Sequence, residues 1–204
     1  NRAIFNVKSF DDSDDSSIQT LGLLWHIDND MFKIQYKNSL KFQDKPFTKR
    51  SILSAIASIF DLLGLTVPII IMCKIFMQKL WMSKVSWDER IRGELLDDWL
   101  TIWSHLPNIT CINIPTLIKP VGIPEVVHLH IFADASKAAY GAVPYLIIFT
   151  NSNSASHIIL AKSRVAPLKS MTIPRLELSA ALLAAKLAYK IKTALNLMIH
   201  QIWL

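Results

Sequence analysis

Ile131-Phe132-Ala133-Asp134-Ala135-Ser136 and Pro174-Arg175-Leu176-Glu177-Leu178 decide the fold of this chain. The first is an apolar run that ends in a carboxylate, and the second opens a helical pattern that carries another. Around them, Val126–Ala133, Tyr140–Thr150 and His157–Lys162 read as strands. A helix is expected from about Pro174 to Thr193, and Ile199–Leu204 starts a further strand. The order βββαβ predicts an α/β (α+β) arrangement, a mixed sheet with a helix on one face.

Upstream of this unit the pattern changes. Leu21–Trp25, a polar turn at Asp28-Asn29-Asp30 and the alternating run Met31–Tyr36 predict a β-hairpin, preceded by an acidic loop over residues 11–17. Three helices follow. The first spans 48–63, with Thr48 as cap and Gly64 as stop. The second has Pro68 in its first turn and runs to about Trp81. The third begins at the capping-box pattern Ser86-Trp87-Asp88-Glu89. Its stripe of Ile91, Leu95, Leu96, Trp99, Ile102 and Trp103 is assigned to core. Pro107, Pro115, Pro120, Gly122 and Pro124 mark 107–124 as a linker, dividing the chain into 1–47, 48–106 and 125–204.

The net charge of +6 over 204 residues is uneven. Residues 1–120 carry 14 Lys/Arg and 13 Asp/Glu, whereas 121–204 carry 8 and 3. A basic C-terminal half suits a phosphate backbone, and equally a soluble surface. Two cysteines supply neither a disulfide framework nor a zinc spacing, which points to a reducing, intracellular compartment, cytoplasmic or nuclear. The start at Asn1-Arg2-Ala3 is no signal peptide and suggests a piece of a longer product. The uncharged stretch Leu62–Cys73 is shorter than the ~18 residues of a membrane span.

Asp134 alone reads as turn chemistry. Glu177 has Ala180, Ala181 and Ala184 at helical spacing, so a charge faces small apolar residues, where burial costs free energy unless a cation compensates. The first helical turn also favours an acid by itself, and Arg175 is a candidate partner. Together, Asp134 and Glu177 are what a phosphodiester-cutting site with oxygen-ligated divalent ions requires from two different elements, though two carboxylates seldom complete such a site. His128 and His130 alternate with Phe132 and Asp134 on one strand face and read as strand-face histidines. An aspartic peptidase would need Asp-Thr/Ser-Gly, which does not occur.

Phe132-Ala133-Asp134-Ala135-Ser136, Ala139-Tyr140-Gly141-Ala142, Ala161–Lys169 and Thr172–Ala181 resemble the start of the ribonuclease H domain in polyproteins of BEL/Pao-class long-terminal-repeat retrotransposons, including the region labelled a Pao peptidase. Lys49–Ser54 and Phe60-Asp61-Leu62-Leu63-Gly64 resemble the same polyprotein downstream of its reverse-transcriptase palm, and Leu21–Trp25 resembles the closing hairpin of that palm. The resemblance implies the end of a palm (1–47), a helical thumb/connection-like region (48–106), and an incomplete ribonuclease H-like mixed sheet (125–204). It implies Asp134 and Glu177 as catalytic residues and ligands of Mg²⁺, and an RNA–DNA hybrid as substrate. Lys162, Arg164, Lys169 and Arg175 are the plausible backbone contacts, with the rest of the polyprotein as a partner. A third carboxylate is expected a few residues beyond Leu204, so these 204 residues are expected to be inactive alone. The alternative is a non-catalytic nucleic-acid-binding or connection module. Two departures stand out. Leu62 replaces a proline usual in the family, and Pro144 lies inside the second strand, which predicts a bulge or a poorly formed strand there. An unfinished sheet also predicts exposed apolar surface.

Overall fold

The computed structural model describes residues 17–20, 23–34, 36, 46–116, 126–151, 153–195 and 197–204. Most of the acidic loop, the tip of the expected first hairpin strand and residues 117–125 lie outside them. Two apolar cores are present, each built on its own sheet.

The first sheet contains β1 (Ser17–Thr20), β2 (Leu23–His26), β3 (Met31–Ile34) and β4 (Asn113–Pro115), all antiparallel in that order. The expected hairpin is β2–β3, with Asp30 at φ 52° closing its polar turn. The stretch expected to begin a linker is folded at its start. Leu106–Cys111 is a 3-10 helix that buries Leu106 and Ile109, and β4 buries Ile114 against the same core.

Helix α1 (Lys49–Ala57) starts where expected. Thr48 Oγ1 accepts from Ser51 N at 3.1 Å, and Ser51 Oγ accepts from Thr48 N at 2.9 Å. It ends at Ala57, six residues before Leu63, rather than running to Gly64. The Asp61 carboxylate accepts from Leu65 N at 3.0 Å and Thr66 N at 2.6 Å, tying down the turn into α2 (Val67–Met82). Helix α3 is Glu94–His105, not the helix from Ser86 that the capping box predicts. The Ser86 N to Glu89 Oε2 hydrogen bond does form, at 3.1 Å. Yet Arg50 N donates to Trp87 O and Ile91 N to Phe47 O, and Arg90 bridges Thr48, which holds this segment as a turn against the start of α1. Tertiary pairing overrides the local signature. The aromatic stripe is core. Trp99 is fully buried, stacks on Phe76 at 5.4 Å and meets Phe47 and Trp103 edgewise or tilted.

The second sheet has the order β7-β6-β5-β9, from β5 (Val126–Ala135), β6 (Ala139–Phe149), β7 (Ser154–Ile158) and β9 (Gln201–Trp203). β8 (Lys162–Val165) pairs β6 beside β7, and only β5–β9 is parallel. With α4 (Ile173–Ala194) between β8 and β9, this is the expected βββαβ order, its third strand split in two. Val127, Leu129 and Ile131 alternate toward α4, which answers with Leu183, Leu187 and Ile191 at four-residue spacing. Ala184 and Ala188 lie between them, and their small side chains let the helix seat closely.

Pro144 explains the split. β6 is continuous through it, not poorly formed. The pairs Ala142↔Lys162 and Tyr145↔Ile158 enclose two residues on β6 and three on its neighbour, so the bulge is in the neighbouring strand. Pro144 O accepts from Ile159 N at 3.1 Å, so the edge that lacks the proline N–H faces the bulge. The bulge frees Ala161 N, which donates to Leu63 O in the helical region at 2.7 Å. Gln78 of α2 adds a bond from Nε2 to Ala166 O at 2.8 Å. The motif Phe60–Gly64 is thus the joint between helices and sheet.

Candidate active site

Asp134 is the penultimate residue of β5, and its Oδ1 accepts from Ala135 N at 2.7 Å. Ser136 closes the following turn, with Oγ accepting from Ala138 N and Ala139 N at 3.2 Å each. The side chain of Asp134 therefore stands at an open strand end, and the residue is exposed. Asp134, Gly141 and Ser163 form one row across the sheet. They line a hollow of about 220 Å³ together with Ser136, Tyr140 and, from α2, Ile71. Ser163 Oγ is buried and has no hydrogen-bond partner among the described residues. A side chain at Gly141 would bring its Cβ to 3.1 Å from Lys162 O, so the row is tightly packed.

Glu177 lies in the second turn of α4 and is exposed. Ala180 and Ala184 seat against the core as the spacing predicts, but Glu177 stays at the rim, where water removes the burial cost. It forms no ion pair with Arg175 or any other described residue. It does not line the Asp134 hollow. Among the described residues no three His, Cys, Asp or Glu side chains gather as a metal-holding group. The chemistry of the two donors, hard carboxylate oxygens with open solvent around them, fits a magnesium-type ion that keeps several waters.

β9 runs parallel to β5, and its Trp203 pairs His130, four residues before Asp134.

The four expected backbone-contacting cations separate. Lys162 and Arg164 project to the α4 side of β8, opposite Ala142 and Tyr140, while Ser163 between them faces the Asp134 hollow. Lys169 lies in the loop before α4, and Arg175 in the first turn of α4, both exposed. His128 and His130 are strand-face residues. Their rings are 6.0 Å apart, and they meet Phe149 at 5.1 Å and Trp203 at 6.0 Å respectively. Beside them Phe132 and Trp203 are more than half exposed, as the expectation of uncovered apolar surface requires.

Sequence reasoning missed Ile71 and Ser163, which only the docking of α2 brings to Asp134. It also missed Lys186, Tyr189 and Lys190, whose spacing of three and four residues already marks one helix face. Among the described residues no helix is long and apolar enough to cross a membrane. A search of curated proteins finds no match. Residues 48–204 match the family described as Pao retrotransposon-like RNaseH-like domain. The match begins at the cap of α1, so it takes in the helices as well as the second sheet.

Proposed function

The chain belongs to the family of Pao retrotransposon-like RNaseH-like domains, and on that premise we propose that it is part of a nuclease acting on the RNA strand of an RNA–DNA hybrid. Asp134 and Glu177 are the carboxylates that would hold Mg²⁺. When bound, the ion supplies Lewis acidity and an acidified water. The remaining work belongs to the chain. Ser136 keeps the turn that presents Asp134 at the strand end, and Lys169 and Arg175, flanking the start of α4, contact the hybrid backbone. Residues 1–47 are then the end of a reverse-transcriptase palm and 48–106 its thumb or connection, a reading supported by the β2–β3 hairpin and three helices that share one core.

The observation that supports the proposal is the strand order: Asp134 lies at the end of β5, which runs between antiparallel β6 and parallel β9, with the Glu177-bearing α4 packed on β5. Two carboxylates seldom complete such a site, so the chain should bind hybrid and cleave it at most slowly with Mg²⁺. Asp134→Asn should remove that cleavage and leave hybrid binding in place. Turnover that survives Asp134→Asn would overturn the role given to Asp134. The second reading, a non-catalytic nucleic-acid-binding module, is favoured by the absence of Glu177 from the Asp134 hollow. It predicts salt-dependent binding with no cleavage at any Mg²⁺ concentration.

A further inference from the structure

On the face of β8 turned away from Asp134, a hollow of about 360 Å³ lies between that strand and α4. Lys162 and Arg164 line it from the strand, and Lys186, Tyr189 and Lys190 line it from the helix. Leu187, buried against the sheet, contributes apolar floor. No acidic residue lines it. The three ion pairs among the described residues all lie in the helical region, so none of these four cations has a carboxylate partner there. Four like charges around one hollow repel each other, a cost that an anion relieves. The Tyr189 ring is 72% exposed and sits one helical turn from Lys186 and beside Lys190.

We propose that this groove binds a single-stranded segment of nucleic acid, with Lys162, Arg164, Lys186 and Lys190 on successive phosphates and Tyr189 stacked on an unpaired base. Cations alone would accept any polyanion. The exposed aromatic ring among them selects for a base with a free face, which a duplex does not offer along its length. Because Lys162 and Arg164 point away from the face that carries Asp134, the groove is a site separate from the two carboxylates. It stands whether or not the chain is a nuclease.

The test is fluorescence anisotropy of the 204-residue chain with a labelled 12-nucleotide oligothymidylate and with a blunt RNA–DNA hybrid of equal length. The single strand should bind more tightly. Its log Kd should vary with log salt with a slope of magnitude about 2.8 for four phosphate contacts, falling to about 1.4 in Lys186→Gln/Lys190→Gln. Tyr189→Ala should weaken single-strand binding roughly 5- to 100-fold, with Tyr189→Phe restoring it. Lys186, Tyr189 and Lys190 are all exposed, and unchanged circular dichroism confirms that the variants fold. Asp134→Asn/Glu177→Gln should leave the single-strand affinity unchanged, which separates this site from the carboxylates. Equal affinity of the lysine variant for the oligonucleotide overturns the proposal. So does insensitivity to Tyr189→Ala, or tighter binding of polyglutamate or of phosphatidylserine vesicles than of the single strand.

Discussion

Replacing Gly64 by alanine should separate the helices from the second sheet. Gly64 has φ +74°, and a Cβ built on it would lie 1.9 Å from the carbonyl oxygen of Ala161. Contacts under 3.0 Å do not occur, and both obstructing atoms belong to backbone, so the joint must open by about 1 Å. That movement stretches the 2.7 Å bond from Ala161 N to Leu63 O, which contributes about 1 kcal/mol. The left-handed backbone costs alanine a further ~1–2 kcal/mol. Reduced freedom of the unfolded chain returns about 0.4–1 kcal/mol. With lost packing at the joint, the net destabilisation is about 2–3 kcal/mol. At a urea dependence of about 2 kcal/mol per molar, the unfolding midpoint should fall by about 1–1.5 M. Hydrogen exchange locates the effect, because the Ala161 amide should exchange at least about 10-fold faster while amides in the centre of β6 keep their relative protection. Gly93→Ala is the control. Gly93 also has positive φ, +57°, but its Cβ would meet nothing within 4 Å. Gly93→Ala should carry a backbone cost and leave Ala161 protected. A Gly64→Ala protein within 0.5 kcal/mol of the parent, with Ala161 still protected, would refute the joint.

Trp99→Ala should cost about 3–5 kcal/mol in urea unfolding, since it empties the centre of the aromatic cluster. Trp99→Phe should cost much less, because it keeps a ring and removes an indole N–H that has no partner among the described residues. Burial pushes the Cys73 thiol up to about 11 and the Tyr36 phenol up to about 12. Both native pKa values exceed their unfolded ones, so this contribution to stability is complete below about pH 9 and is lost as pH rises toward 11–12. Urea midpoints measured from pH 8 to 11 should fall, and a flat profile would contradict the burial. With a thiol reagent at neutral pH, exposed Cys111 should react at once and buried Cys73 only on unfolding.

How much of this was legible beforehand depends on the range of the interaction that decides each element. The β2–β3 turn, the Thr48 cap, the α4 stripe and the alternation along β5 are written in neighbouring residues, and they appear where the sequence puts them. The start of α3 is not. Phe47 and Arg50 pair with residues near Trp87 some forty positions away. Pro144 signalled a defect in the sheet, yet only the pairing register shows that the neighbouring strand absorbs it and that the freed Ala161 amide becomes the docking point.

That Asp134 ends a strand and that Glu177 lies near the start of a helix was readable from the sequence, because those are local properties of the chain. That Asp134 shares a hollow with Ile71 and Ser163, that Glu177 stays at the helix rim, and that Lys162 and Arg164 join Lys186 and Lys190 on the opposite face of β8 were decided by tertiary structure. Helical and strand periods set which side of its own element a residue occupies. Which other elements stand across from that side is set by sheet register and helix docking, and these depend on contacts distant in sequence.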